Sequence, residues 1–111
     1  MTALTAPLIA VVFLPLGAAK LAAVPVMREA AAHLGMTPGH YRLIGGLEVA
    51  GVAGVLTGPA WPPAGAAAGA GLAALMAGAA VAHRRAGDPW VRTLPALACG
   101  ALALVHALRA L

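Results

Sequence analysis

Residues 63–83 read PAGAAAGAGLAALMAGAAVAH, a stretch in which no side chain before the closing His83 is charged. A helix of this length rises about 30 Å at ~1.5 Å per residue, which matches the hydrocarbon thickness of a bilayer. Three further apolar segments flank this stretch. Together the four segments predict membrane-spanning helices over residues 4–24, 42–58, 63–83 and 91–108.

The composition of the whole chain indicates a membrane protein. Of the 111 residues, 62% are hydrophobic and 9% are charged, against about 45–50% and about 25% in soluble domains. So few charges cannot cover a soluble surface, which excludes a soluble globular domain, a disordered segment and a nucleic-acid binder. We expect one all-α domain over residues 1–111, an integral membrane four-helix transmembrane bundle in contact with the lipid bilayer. The first span is expected to be retained rather than cleaved, because no basic residue precedes it.

The connections between the predicted spans favour antiparallel neighbours. Residues 57–63 and 84–90 are short turns rich in proline and glycine. The first connection is longer, and Pro25 followed by residues 26–34 predicts a short helix at the membrane interface. Gly35 is expected to end that helix.

The charge distribution predicts the orientation. The net charge is +4, and the positive-inside rule assigns arginine-rich loops to the cytoplasm. The first and third loops carry five arginines, whereas the opposite side carries only Arg109. We therefore expect a multi-pass protein of a bacterial-type cytoplasmic membrane with both termini outside. The five arginines are Arg28, Arg42, Arg84, Arg85 and Arg92.

Three ionisable side chains fall inside the predicted spans on the cytoplasmic side. They are Lys20, Glu48 and His83, one on each of three helices. A charge near the bilayer centre costs at least ~2.5–3.5 kcal/mol, so such a residue is paired, close to an interface or functional. Glu48 lies about 9 Å below the cytoplasmic end of its helix at ~1.5 Å per residue, which is too deep for its short side chain to reach water. It is expected to point into the bundle, either protonated or paired with Lys20.

Two interpretations of these three residues stay open. In the first they form a structural ion pair with a hydrogen-bonded histidine, which fixes the register of the helices. In the second they form a catalytic site, in which Glu48 is the acid/base, Lys20 tunes or orients it and His83 passes the proton to the cytoplasm. His40, Tyr41 and Arg42 are then candidate substrate-binding residues at the cytoplasmic lip of the pocket.

The other polar residues predict no further site. His33 is expected to be solvated, His106 to be interfacial, and Asp88 to cap a helix or pair with Arg84, Arg85 or Arg92. Cys99 is the only cysteine, so an internal disulfide and a cysteine-based zinc site are excluded. No nucleotide, haem or metal motif is present, and no bound metal is expected.

Three segments resemble the DoxX-like family of membrane proteins. Residues 16–21 (LGAAKL) are similar to its GxxKL element. Residues 33–36 (HLGM) and 41–48 (YRLIGGLE) are similar to its LGxP…RxIGxxE segment, and residues 71–83 are similar to a third helix that ends in a histidine. The resemblance covers about residues 13–88.

The resemblance implies a four-helix transmembrane fold in which Lys20, Glu48 and His83 occupy recurrent polar positions. It implies no single activity, because members are linked to quinone-coupled sulfur oxidation, to redox-stress complexes and to the assembly of other membrane proteins. The lack of a cysteine pair argues against a direct thiol role.

Two functions therefore remain as hypotheses. One is a membrane enzyme that isomerises a lipophilic small molecule, or opens or cyclises an epoxide, without a cofactor, with quinone binding as a variant. The other is a non-enzymatic membrane subunit or assembly factor, in which the same residues are structural. A homo-oligomer or a membrane protein partner is compatible with both.

Overall fold

The computed structural model describes residues 3–111; Met1 and Thr2, which the predicted domain includes, lie outside the described residues. Within that range the protein is all-helical, with five helices and no strand. The helices are α1 (Thr5–Ala22), α2 (Pro25–His33), α3 (Pro38–Thr57), α4 (Pro62–Arg85) and α5 (Trp90–Arg109).

Proline and glycine set the helix boundaries. The helices α2, α3 and α4 each begin with a proline in the first turn, where the missing N–H costs no hydrogen bond. The Thr37 hydroxyl caps α3 by accepting a hydrogen bond from the backbone N–H of His40 at 3.1 Å. This cap starts α3 at Pro38, earlier than the predicted residue 42. After α2, Gly35 adopts a positive φ of 74° and turns the chain toward α3, as expected for a helix end.

The four long helices pack around one another. α1 contacts α3, α3 contacts α4, α4 contacts α5, and α5 returns to α1, while α2 lies against α1 and α3. The shared core consists mainly of Ile9, Phe13, Val52, Val55, Leu72 and Met76. Large apolar side chains also cover the outer surface; examples are Leu8, Val11, Leu56, Val81, Leu94 and Leu104. An outer surface of this kind is expected where lipid replaces water as the solvent.

Within residues 3–111, three helices are long and apolar enough to cross a membrane, namely α1, α4 and α5. α3 has 20 residues but is not among them, because it carries His40, Arg42 and Glu48. The expectation of a helical membrane protein is therefore confirmed, and three of the four predicted spans coincide with these helices.

Different pairs of residues meet at the two ends of the helix assembly. At one end, the Thr5 hydroxyl lies 2.8 Å from Nδ1 of His106, so the start of α1 meets the end of α5. At the opposite end, His33 and Asp88 are joined by a hydrogen bond. That contact brings α2 against the connection between α4 and α5, and we call this side the loop end.

Candidate functional site

A cavity of about 700 Å³ opens between α3 and α4. At one end it is bounded where the two helices touch, at Gly51 against Leu72 and near Ala68. Toward the loop end the cavity is also bounded by α1, α5 and the residues that follow α2. The apolar lining includes Leu16, Leu34, Met36, Ile44, Leu75, Ala79, Ala96 and Cys99.

The polar side chains of the cavity are collected at the loop end. They are Lys20 from the end of α1, His40 and Tyr41 from the start of α3, and His83 from the end of α4. The volume falls within the ~300–1,000 Å³ typical of small-molecule sites, which are mostly apolar with a few convergent polar groups. The cavity therefore combines an apolar lining with polar groups gathered at one end.

The side of the cavity is open to the surroundings of the protein. Leu43 and Leu47 line it and are 62% and 48% exposed. On the facing helix, a Cβ added to Gly71 or Gly78 would meet no atom within 4 Å. The absence of side chains at these two positions leaves the space that the cavity occupies.

Lys20 and Glu48 form an ion pair beside this cavity. The Lys20 ammonium donates a hydrogen bond of 2.5 Å to Oε1 of Glu48. It also lies 5.1 Å from the centre of the Tyr41 ring, within the range of a cation–π contact. The pairing predicted from depth along the helices is therefore present in the structure.

Two glycines bring α1 and α3 close enough for this pair to form. A Cβ on Gly45 would lie 2.5 Å from Cβ of Lys20 and 2.7 Å from the Gly17 carbonyl oxygen, and a Cβ on Gly17 would lie 3.0 Å from the Gly45 carbonyl oxygen. Neither position has room for a side chain. We call this close approach the α1–α3 seam; it consists of Gly17, Lys20, Gly45 and Glu48.

Glu48 is fully buried in the seam and does not line the cavity. Within residues 3–111, its Oε2 atom has no hydrogen-bond partner. A buried carboxylate with one unsatisfied oxygen is incompletely compensated, which costs free energy. Lys20, with 11% of its side chain exposed, is the member of the pair that reaches the cavity.

His83 bonds to Asp88 rather than to Glu48. Its Nδ1 atom lies 2.6 Å from Oδ2 of Asp88, and Nε2 of His33 lies 2.6 Å from Oδ1 of the same carboxylate. The hydrogen bond from His83, followed by that from His33, holds the pKa of Asp88 below its usual range. The carboxylate is therefore ionised at neutral pH, where it can only accept hydrogen bonds.

The expected partners of Asp88 and His33 are corrected by this cluster. Asp88 was expected to cap a helix or pair with Arg84, Arg85 or Arg92, but its carboxylate bonds to the two histidines. Arg84 donates to the Asp88 backbone carbonyl at 2.9 Å and stacks on the Trp90 ring. His33 was expected to be solvated; its side chain is 46% exposed yet bonded to Asp88. No sequence pattern predicted this contact, because His33 and Asp88 are 55 residues apart.

The three predicted substrate-binding residues are divided between two surfaces. His40 and Tyr41 line the cavity. Arg42 does not; its Nε donates a hydrogen bond of 2.9 Å to the Leu21 carbonyl at the end of α1. Arg42 therefore satisfies one of the free carbonyls at a helix C-terminus.

His106 and Cys99 lie outside the two hydrogen-bonded clusters described above. His106, expected to be interfacial, is buried against Thr5, and within residues 3–111 its Nε2 has no hydrogen-bond partner. Cys99 contributes to the cavity wall as a free thiol. In the part of the chain that the structure describes, no cluster of three or more His, Cys, Asp or Glu residues could hold a metal ion.

Comparison with known proteins identifies one relationship. The sequence model of the DoxX-like family matches residues 4–106, which include every residue of the seam and of the cavity lining. No curated protein and no solved structure matches the chain.

Proposed function

The chain belongs to the DoxX-like family, and we propose that it binds a lipophilic small molecule in the cavity between α3 and α4. One observation carries this proposal: an apolar cavity of about 700 Å³ with its polar side chains gathered at one end. Such a cavity matches a molecule whose tail replaces lipid contacts and whose polar end is held by Lys20, Tyr41 and His83.

The chemistry that these groups support is acid/base catalysis. Lys20 would donate a hydrogen bond to an oxygen of the bound molecule. Glu48, which accepts a hydrogen bond from the same ammonium, would act as the acid/base by exchanging a proton with the bound molecule by way of Lys20. His83, on the facing helix, would serve as the second proton-transfer group. Isomerisation and epoxide opening or cyclisation need a proton donor and a proton acceptor on opposite sides of the substrate and no cofactor. A quinone is an alternative occupant, with its carbonyl oxygens hydrogen-bonded to Lys20 and His83.

We further propose that α3 is the fourth membrane span and that the loop end faces the cytoplasm. With 20 residues, α3 is about 30 Å long at ~1.5 Å per residue, enough to cross the hydrocarbon core. It is packed between α1 and α4, and the charge of Glu48 is matched by Lys20. The excess of arginine at the loop end supports the cytoplasmic orientation.

A pair of variants on α4 tests the binding proposal. Gly78→Phe would place an aromatic ring in the cavity, whereas the neighbouring Ala77 is exposed and does not line it, so Ala77→Phe is the matched control. The full chain is purified into lipid nanodiscs, and organic extracts are compared by mass spectrometry. We expect a non-lipid compound with the wild type and with Ala77→Phe, and its loss with Gly78→Phe. The same compounds from all three proteins, or none from the wild type, would contradict the proposal.

A second candidate function is a non-enzymatic membrane subunit or assembly factor. It is favoured by the closed Lys20–Glu48 pair, because Glu48 does not reach the cavity itself. Glu48→Gln separates the two functions. In an enzyme the variant still folds, because the amide oxygen of glutamine can accept the hydrogen bond from Lys20, and it stops converting the compound identified above. A structural role instead predicts loss of folded protein, with no conversion of that compound by the wild type.

A further inference from the structure

The hydrogen bond between His83 and Asp88 determines which ring nitrogen of His83 carries a proton. Asp88 is only 4% exposed, although it lies in the connection between α4 and α5. Both of its carboxylate oxygens are engaged, each by one histidine nitrogen at 2.6 Å. Because an ionised carboxylate only accepts hydrogen bonds, both histidine nitrogens must carry the hydrogen.

This requirement fixes the tautomer of His83. The ring nitrogen that bonds to Asp88 is Nδ1, so Nδ1 carries the proton whenever the ring is neutral. The hydrogen bond made by one ring nitrogen determines the state of the other. Nε2, the nitrogen not engaged by Asp88, then presents a lone pair on a residue that lines the cavity and is 28% exposed.

We propose that Asp88 is a positioning residue that holds His83 as the proton acceptor of the cavity, and that the bound molecule carries an ionisable X–H bond at its polar end. This inference rests on the proposed binding function and deepens it by naming the ligand class. Suitable groups are a phenolic hydroxyl or a C–H bond beside a carbonyl. Lys20, on the opposite wall, donates to an oxygen of the same molecule.

The proton transfer is balanced within the site. The X–H bond breaks, its proton moves to Nε2 of His83, and the electron pair stays on X, where the Lys20 ammonium stabilises the negative charge. The imidazolium so formed faces the Asp88 carboxylate, which stabilises it. Returning the proton to another atom of the ligand completes an isomerisation and regenerates neutral His83. His33 bonds to the second carboxylate oxygen, Oδ1, so the oxygen that accepts from His83 is not shared.

The tautomer of His83 can be measured without any ligand. Long-range proton–nitrogen correlation spectra of the full chain in nanodiscs, with nitrogen-15 in the four histidines, distinguish a protonated Nδ1 from a protonated Nε2. The His83 signals are identified by their loss in His83→Gln. At a pH where the ring is neutral, we expect the Nδ1-protonated form in the wild type.

Two variants separate Asp88 from a general effect on the loop. Asp88→Ala removes the acceptor and is expected to shift His83 toward the Nε2-protonated form. His33→Ala removes the other partner of Asp88 and is expected to leave the tautomer of His83 unchanged. A wild-type His83 protonated at Nε2 would overturn the proposal even if Asp88→Ala fails to fold, and so would a tautomer that does not respond to Asp88→Ala.

A chromogenic probe tests the ligand class. A 4-nitrophenol bearing an alkyl chain absorbs differently as phenol and phenolate, so the spectrum of the bound probe reports proton transfer. We expect the ratio of bound phenolate to bound phenol to fall by at least about tenfold in Asp88→Ala, because the variant lacks the charged hydrogen bond that stabilises the imidazolium of His83. A probe that binds the wild type only as phenol would refute the X–H assignment. A probe that does not bind the wild type at all would count against the ligand class itself, while the tautomer still decides the role of Asp88.

Discussion

Glycine has opposite effects in the α1–α3 seam and in the α4 wall of the cavity. In the seam, Gly45 leaves no room for a Cβ and brings the backbones of α1 and α3 into contact beside the Lys20–Glu48 pair. In α4, Gly71 and Gly78 line the cavity, and a Cβ added to either would meet no atom within 4 Å. Small residues in membrane helices permit close packing, but here they also create an empty volume. Whether a glycine of this sequence permits close packing or leaves empty space therefore depends on the residues around it.

The largest expected effect comes from breaking the ion pair of the seam. Lys20→Met leaves the fully buried Glu48 without its cation, and removing one partner of a buried pair costs about 3–5 kcal/mol. We expect the variant to unfold at a clearly lower SDS fraction than the wild type in mixed micelles. The double variant Lys20→Met/Glu48→Leu is the control, because an apolar replacement of both partners is often neutral. Equal stability of Lys20→Met and the wild type would show that the pair is not a structural element.

The contrast between the seam and the cavity wall is tested directly by adding one methyl group to a glycine of each. Gly45→Ala forces a Cβ to within 2.5 Å of Cβ of Lys20, and such overpacking costs about 1–3 kcal/mol. Gly78→Ala meets no atom and should stabilise α4 by about 0.5–1 kcal/mol through the lower flexibility of alanine. Both are measured by the same SDS titration. A similar change in stability for the two variants would remove the distinction between seam and cavity.

A smaller effect is expected when the loop end is acidified. The pKa of Asp88 is lowered by its hydrogen bonds to His83 and then His33. A lowered pKa means that the stabilisation is complete above the ordinary value of 3.8 and is lost as the pH falls through the pKa of the folded protein. The connection between α4 and α5 should therefore loosen only below about pH 4.

The fluorescence of Trp90 reports this acid transition when Trp61 is replaced by phenylalanine, because these are the only two tryptophans. Trp90 stacks on Arg84, which in turn bonds to the Asp88 backbone, so its emission should change with the loop. The variant Asp88→Ala should lack the transition. A transition of equal size and midpoint in that variant would assign it to another group.

The smallest expected effect is a change in the reactivity of Cys99. Its thiol lines the cavity, and a lipid-soluble maleimide should label it several-fold faster after the bound compound has been extracted. The control is Cys99→Ser/Ala98→Cys, which moves the thiol to an exposed neighbour outside the cavity. Labelling at position 98 should not respond to extraction. An equal response at both positions would contradict an occupied cavity.

Much of the architecture could be predicted from the sequence because hydropathy and proline act locally. The segments 63–83 and 91–108 agree with α4 and α5 to within two residues, and Pro25 and Gly35 delimit α2 as expected. The earlier start of α3 follows from the Thr37 cap and Pro38, a local signal that hydropathy alone overlooks.

The site was only partly predictable because its contacts join distant parts of the chain. The Lys20–Glu48 pair followed from depth along two helices, since a buried charge needs a partner. The His33–Asp88–His83 cluster did not, because His33 and Asp88 are 55 residues apart, one at the end of α2 and the other between α4 and α5, and no periodicity links them. The cavity depends on how several helices pack together, and no single residue encodes that arrangement.

The lateral opening at Leu43 and Leu47 determines how the affinity of any ligand must be expressed. If α3 crosses the membrane as proposed, a molecule that enters through this opening competes with acyl chains and arrives from the bilayer, so its mole fraction in lipid governs occupancy. Adding empty vesicles would dilute such a ligand and lower its occupancy even when its total concentration in the tube is unchanged. Binding titrations of this protein should therefore vary the lipid concentration as well as the ligand concentration.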